Sequence, residues 1–358
     1  MHQDIRSQRI GRNLGWKHAM SAVAVGATCL LAPHGAYAHI KWFCPYDTTI
    51  PPRSLAEVVT PGFAFIAAGF GTLMFVAYVI DRVVERNGWF ELFDRVLLRH
   101  EAAASVLVRG GVCVFFLILW MDGTTILTPE LKTSSAWVPW LQIGIAAFTL
   151  WRPTLVLAGI GIATLYAYGV ARYGAFHMLD YPIFLGLAAY LGLSAFDSLF
   201  LLKLRLPALY FNLVVTMMWG AIEKFGYPNW TFPLLATHKA LTLGMPFGLF
   251  MTVAGFVELS LAFFMLTGTA LLRFACVALL LIMASAIPEF GKVDAIGHSL
   301  IIITLIVMII AGRSGIELPR VIRSRGVLAS SGLLSVAYGA TTLGLLVVYH
   351  GAQYVAGR

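Results

Sequence analysis

The sequence contains an aspartate and a histidine, Asp294 and His298, whose spacing suits proton transfer. They stand four positions apart where an apolar segment begins, so on a helix both side chains would lie on one face. A carboxylate beside an imidazole can move protons or orient a bound ligand. The alternative interpretation is a helix-capping aspartate next to a buried structural histidine.

A second candidate for proton chemistry is Glu258, about halfway along another apolar segment. An ionisable side chain at that depth in a membrane costs roughly 2.5 to 3.5 kcal/mol on insertion scales, and it usually faces a bundle interior, a partner or a ligand. Contact with a quinone or a role in a proton relay is one interpretation of Glu258. A structural hydrogen bond to a neighbouring helix is the other.

The first 38 residues have the features of a secretory signal peptide. Basic residues precede an apolar core from Ala19 to Ala32, and Ala36-Tyr37-Ala38 forms an A-x-A cleavage site. We therefore expect cleavage after Ala38, which leaves His39 as the mature amino terminus in the periplasm.

An amino-terminal His39 would offer a metal both its amine and its ring nitrogen, an arrangement that resembles the histidine brace of exported copper proteins. Imidazole and thiolate suit copper, so Cys44 and either His177 or His238 are the further ligands predicted. The alternative is that His39 merely follows the cleavage site. The four cysteines contain no CxxC spacing, so no disulfide or zinc framework is expected.

Composition indicates an all-α integral membrane protein, because 59% of the residues are hydrophobic and only 12% are charged. The net charge of +8 comes mostly from arginines beside apolar segments, where they act as topology signals, so no nucleic-acid partner is expected. Apolar runs predict about ten membrane spans after the signal peptide. These runs are 61–80, 103–121, 137–150, 154–170, 183–202, 207–222, 246–266, 270–287, 295–311 and 328–349.

Arginine and lysine are concentrated in the loops that are cytoplasmic when the mature amino terminus is outside. The expected cytoplasmic loops are residues 82–101, 151–153, 203–205, 266–269 and 313–325. In the first of these, residues 83–99 carry apolar side chains at i, i+3, i+4 spacing with charges on the other side, which predicts an amphipathic helix lying on the bilayer surface. The apolar residues are Trp89, Leu92, Phe93, Val96 and Leu97. The sequence thus predicts a bacterial inner-membrane protein in a lipid bilayer.

One long stretch, 206–312, carries polar residues in a definite order within four apolar segments. Trp219 to Pro228 contains Glu223-Lys224-Phe225 at a helix end, Ala254 to Glu258 forms Ala-Gly-x-x-Glu, and Gly268 with Arg273 precedes the third segment. This pattern resembles the DoxX family of small four-helix membrane proteins. The resemblance implies a four-helix unit in which Glu258 stands at the family's glutamate position.

The segment order also repeats, since Phe176 to Asp180 and Phe290 to Asp294 each precede the fourth segment of a block. We therefore expect two parallel DoxX-like repeats with flanking helices. Gly144 and Phe184 stand where the second block has Glu258 and His298, so only the second block keeps those groups. The predicted organisation is residues 1–38, signal peptide; 39–102, exported segment, first transmembrane helix and amphipathic helix; 103–205 and 206–313, the two repeats; and 314–358, basic loop and last transmembrane helix.

The DoxX resemblance implies a subunit of a periplasm-facing redox system that passes electrons to quinone, similar to thiosulfate:quinone oxidoreductase. Glu258, Asp294 and His298 would then handle protons, and Glu223 and Lys224 would contact the quinone. A copper-binding membrane protein and a non-catalytic scaffold or small-solute carrier are the alternatives. The partners expected are a periplasmic redox or copper protein and, in an oligomer, further copies of the chain.

Overall fold

The computed structural model describes residues 40–44, 46, 50–313, 322 and 324–356. Within these ranges the chain is helical, and its only β-type pairing is an isolated bridge between Thr125 and Lys132. The expected all-α fold is therefore confirmed for the described residues. The predicted signal peptide, its cleavage site and His39 lie outside them.

Thirteen α-helices of the described ranges are numbered here in chain order. They are α1, Leu55–Val58; α2, Pro61–Arg86; α3, Glu91–Leu98; α4, Glu101–Asp122; α5, Trp137–Phe148; α6, Leu155–Tyr173; α7, Ala175–Met178; α8, Ile183–Ser194; α9, Leu199–Gly226; α10, Phe232–Thr237; α11, Phe247–Thr267; α12, Ala270–Ala311; and α13, Val327–Ala356. A short 3₁₀ turn, Ile40–Trp42, precedes them.

Seven of the described helices are long and apolar enough to cross a membrane: α2, α4, α6, α9, α11, α12 and α13. Local signals set their ends. Thr60 caps the start of α2 by accepting from the Phe63 N–H, and Gly123 ends α4 in the left-handed conformation that glycine adopts without a steric cost. These helices make the chain an α-helical membrane protein.

Fewer of the described helices are long enough to span a membrane than the ten that the sequence predicts. Each predicted run overlaps a helix, but α5 and α8 have only 12 residues each, short of the roughly 20 that a span needs. Two further runs are the two arms of α12, which breaks at Gly291, where φ is 70° and ψ is −152°. The described residues therefore establish seven candidate spans, and ten stays a prediction.

The loop expected at Lys203 to Arg205 is wrong, because both residues lie within α9. The run predicted as 183–202 ends instead at Ser194, and α9 begins at Leu199 and continues through Pro207. Proline inside a membrane helix is tolerated where neighbouring groups satisfy the freed backbone carbonyl. Hydropathy alone placed the boundary at the proline, whereas the helix passes through it.

Most of the helices pack as a ring. Along the chain α4 contacts α5, α5 contacts α6, α6 contacts α8, α8 contacts α9, α9 contacts α11, α11 contacts α12, and α12 returns to α4. Helices α2 and α13 pack against each other and against the α11 and α12 side of the ring. The ring brings residues of the two predicted repeats face to face.

The short helices α5 and α8 leave room for loops inside the bundle. The loop before α5 is held by Gln142, whose side-chain amide donates to the Thr125 and Ile126 carbonyls at 2.6 and 3.0 Å. Ile126, Leu127 and Leu131 of this loop are fully buried. The carboxylates on the two loops, Glu130 and Asp180, are thereby carried into the interior.

Candidate functional site

A pocket lies between the first half of the ring, α4 to α8, and the second half, α9 to α12. Residues of both halves line it. From the first half come Thr128, Asp180, Tyr181 and Phe184, and from the second come Lys224, Glu258 and His298, among others. Its cavity volume is about 80 Å³. An apolar lining with a few convergent polar groups is typical of small-molecule sites.

Glu258 of α11 is paired with Lys224 of α9 across the pocket wall. The Lys224 ammonium donates to Glu258 Oε2 at 2.7 Å, and both side chains are mostly buried. Because opposite charges lie in contact, neither ion is left uncompensated in the apolar interior. The two residues that the sequence assigned to different roles thus form one pair.

His298 and Asp294 lie on the same face of the second arm of α12, as the four-residue spacing predicted. His298 Nδ1 is 3.1 Å from Asp294 Oδ2, and both side chains are buried. Only His298 lines the pocket. Asp294 does not line the pocket, and its contact with the imidazole is a close approach of charge-bearing groups without hydrogen-bond geometry.

The amino-terminal segment, residues 40–44, closes one side of the pocket through Trp42. Its ring packs on His298, with ring centroids 4.9 Å apart. Gly297 permits this approach, because a Cβ at that position would stand 1.9 Å from the Trp42 ring. Phe43 continues the contact onto Phe290, with centroids 5.2 Å apart.

The neighbouring residue, Lys41, is buried between two carboxylates. Its ammonium donates to Glu223 Oε2 at 2.6 Å and to Asp180, and it lies over the rings of Tyr46 and Trp230 at 5.6 and 5.4 Å. Burial works against the charged form, but the carboxylates outweigh it and raise the pKa of Lys41. Lys41 therefore stays protonated and holds the segment between the two halves.

A second set of hydrogen bonds lies beside Lys41. Glu130 accepts from Tyr181 and is 3.1 Å from His177 Nε2. Tyr46 and Tyr173 stack on His177 with centroids 5.6 and 5.8 Å away. We call Lys41, Glu130, His177, Asp180, Tyr181 and Glu223 the outer acid cluster, after the face on which the predicted topology places it.

The carboxyl group of Asp180 titrates far from its ordinary range. Burial, together with repulsion from Glu223, raises the pKa of Asp180 to about 7, although Lys41 pulls the pKa down. One lysine cannot neutralise two carboxylates. A proton shared between the carboxyl groups of Asp180 and Glu223 therefore lowers the free energy of the buried site. Asp180 thus joins a pocket wall to a proton-holding cluster.

The predicted metal ligands are not brought together among the described residues. His177 bonds Glu130, whereas His238 Nε2 lies 3.1 Å from Glu289 Oε1 and the His238 ring packs at a tilt against Phe290. Cys44 is half-buried, and burial raises the pKa of its thiol. Over the described ranges no group of three or more His, Cys, Asp or Glu side chains is arranged to hold a metal ion.

Sequence reasoning missed three residues of the site: Lys41, Trp42 and Tyr181. Lys41 and Trp42 lie between the candidates His39 and Cys44, and Tyr181 follows Asp180, but a lone lysine or aromatic residue carries no spacing signal. Comparison with known proteins supplies no further assignment, since no family model, curated protein or solved structure matches the chain.

Proposed function

We propose that this membrane protein binds a quinone in the pocket between its two halves and exchanges protons with it. The observation that carries the proposal is that two acid-base pairs from different helices meet at this one pocket. Lys224 and Glu258 contribute the first pair, and His298, backed by Asp294, contributes the second. Proton-handling groups around an apolar pocket are what reduction of a hydrophobic carbonyl substrate needs.

The chemistry of a quinone fits this combination of groups. Reduction to the quinol takes up two electrons and two protons, and the protons must come from side chains or water. In this proposal Lys224 donates a hydrogen bond to one quinone oxygen and His298 to the other, because both residues line the pocket. The aromatic ring of Trp42 and the apolar wall of Phe184 and Met217 offer surfaces on which a quinone ring can pack.

Electrons enter this scheme from a reductant on the outer face. By the DoxX resemblance we propose a periplasm-facing redox system similar to thiosulfate:quinone oxidoreductase, in which a partner protein supplies the electrons. Glu223, predicted as a quinone contact, is engaged by Lys41 and is absent from the pocket lining. We therefore assign it to the cluster that holds the exported segment.

The two DoxX-like repeats and the ten spans are part of the same proposal. A matched contact supports the repeats: Arg152, just before the third helix of the first block, donates to the Ser194 carbonyl near the end of its fourth helix. Arg273, near the start of the third segment of the second block, donates to the Ile309 carbonyl near the end of the fourth. In each block an arginine near the start of the third segment thus binds a carbonyl near the end of the fourth, although the two arginines are 273 − 152 = 121 positions apart and the repeat register is 258 − 144 = 114.

Quinone binding is the measurement that tests the proposal. We would titrate the purified protein with decylubiquinone and follow the quenching of tryptophan fluorescence. Saturable binding is expected for the wild type, with the dissociation constant raised about tenfold by Glu258→Gln or His298→Ala, a change worth ~1.4 kcal/mol. The control is Glu289→Gln, which removes a carboxylate that is not part of the pocket lining.

Two results would contradict the proposal. One is the absence of saturable binding by a folded wild-type protein. The other is binding that the pocket variants and the Glu289 control change equally, because the quinone would then lie elsewhere. Quinol formation with thiosulfate, measured in membranes that contain the partner proteins, tests the redox part separately.

A further inference from the structure

The pocket between the two halves is too small for a quinone ring in the conformation that the structure shows. Its cavity volume is about 80 Å³, whereas a cavity of roughly 150 Å³ holds one benzene ring in a protein interior. A quinone ring carries two carbonyl oxygens and further substituents as well. A side chain of the lining must therefore move before the ring can enter.

Trp42 is the aromatic side chain of the lining that is best placed to move. The rings of Tyr181, Phe184 and His298 are buried, since these residues are 4%, 3% and 4% exposed. Trp42 is only half-buried, and it lies on the 3₁₀ turn Ile40–Trp42 instead of on a membrane helix. Because protein interiors are close-packed, a large ring can swing only toward the surface, and Trp42 already reaches it.

The indole of Trp42 occupies space that a ligand ring would need. Its ring centroid lies 4.9 Å from that of His298. It also fills the place of a side chain at Gly297, where a Cβ would stand 1.9 Å from the indole. Gly297 and His298 both line the pocket, so rotation of the indole away from them adds its volume to the cavity.

Contacts on both sides of Trp42 hold the backbone while the ring moves. Lys41 binds two carboxylates, Asp180 and Glu223, and Phe43 packs on an aromatic ring of α12. A change in the side-chain torsions of Trp42 is therefore enough to open the pocket, because the residues before and after it stay docked.

We propose that Trp42 is the gate of the quinone pocket. Its indole lies on His298 while the pocket is empty, swings outward to admit the quinone ring, and then closes against the face of that ring. This inference rests on the proposed function, because the quinone is the molecule that must pass. A gate limits both entry and exit of a ligand, whereas a fixed wall that the ligand touches affects mainly its exit.

Stopped-flow measurement of quinone binding tests the gate. The purified full-length protein is mixed with decylubiquinone, and the quenching of its remaining tryptophans gives the association and dissociation rate constants. We expect Trp42→Ala to raise both rate constants about tenfold, because the pocket is then open all the time. The dissociation constant should change less than either rate constant. Trp42→Phe, which keeps a smaller ring, should give intermediate values.

A second variant opens the gate without removing the indole. Gly297→Ala pushes the ring off His298, so it should also raise the association rate constant, and it carries the test if Trp42→Ala does not fold. The matched control is Trp140→Ala. It removes an indole of α5 that is 72% exposed and is not part of the pocket lining, so both rate constants should stay at the wild-type values.

The failures of the two proposals are distinguishable. Absence of saturable decylubiquinone binding by the wild type refutes the proposed function and the inference with it. Saturable binding whose association rate constant is unchanged or lowered in Trp42→Ala and Gly297→Ala overturns the gate alone. A rise in the dissociation rate constant only would make Trp42 a fixed wall of the pocket. An equal acceleration in Trp140→Ala would also overturn the gate, because the effect would then not belong to Trp42.

Discussion

The Lys224 ammonium lies 2.7 Å from Glu258 Oε2, and this contact joins α9 to α11 at the edge of the pocket. Lys224→Met leaves Glu258 without its partner, so we expect a loss of about 3 kcal/mol in the free energy of unfolding. The double variant Lys224→Met with Glu258→Leu should regain most of it. A double-mutant cycle, measured by denaturant unfolding in detergent, checks this, and additive effects would show that the pair is not coupled.

Trp42 is expected to move when Gly297 acquires a side chain. The Cβ of Gly297→Ala would lie 1.9 Å from the Trp42 ring, so the ring must leave its place on His298. We predict a several-fold rise in acrylamide quenching of Trp42 fluorescence, measured against a Trp42→Phe background. Gly248→Ala is the control, because a Cβ there has no neighbour within 4 Å. Equal quenching in the two variants would contradict the placement of Trp42.

The stability of the protein should depend on pH through Asp180. Its pKa is raised by burial to about 7 in the folded state, against an unfolded value of ~3.9. The folded chain therefore holds more protons between these values, and the contribution of this group to stability falls as pH rises through that window. We expect Asp180→Asn to flatten the slope of thermal stability over this pH range. An unchanged slope in the variant would place the titration elsewhere.

Asp81 of α2 caps the amino-terminal end of α12. Its carboxylate accepts from the backbone N–H groups of Thr269, Ala270 and Leu271 at 2.9, 2.8 and 3.0 Å. Asp81→Ala removes all three acceptor contacts. We expect the substitution to lower the free energy of unfolding by about 2 kcal/mol. Thermal unfolding measures the loss, with quinone affinity unchanged. The control is Thr60→Ala, which removes a cap that accepts one bond from the Phe63 N–H. This variant should lose less stability.

The position of the mature amino terminus can be determined from the mass of the intact chain. Cleavage after Ala38 predicts a chain that begins with His39, which intact-mass spectrometry of the membrane-expressed protein would detect. If His39 binds copper through its amine and ring, elemental analysis should find about one copper per chain, lost in His39→Ala. A chain that retains residues 1–38 would refute the brace, since its amine would not be free.

How far the sequence determines the site is clearest for His298 and Lys41. The spacing of Asp294 and His298 put both on one helix face, and their 3.1 Å contact agrees with it, because the α-helix fixes the relation of residues four apart. The contact of Lys41 with Glu223 spans 182 positions, and no local period encodes it. Similarly, hydropathy found the apolar segments but placed a loop at Lys203 to Arg205, where the helix continues through Pro207.

The sequence by itself determined the class of the protein, the approximate positions of its apolar helices and two polar residues on one helix face. These follow from composition and from the helical period, which act over a few residues at a time. The tertiary structure alone decided that Glu258 meets Lys224, that Asp180 shares Lys41 with Glu223, and that Trp42 covers His298. Such pairings depend on how helices far apart in the chain pack, since burial compels each charge to find its partner wherever the fold brings one.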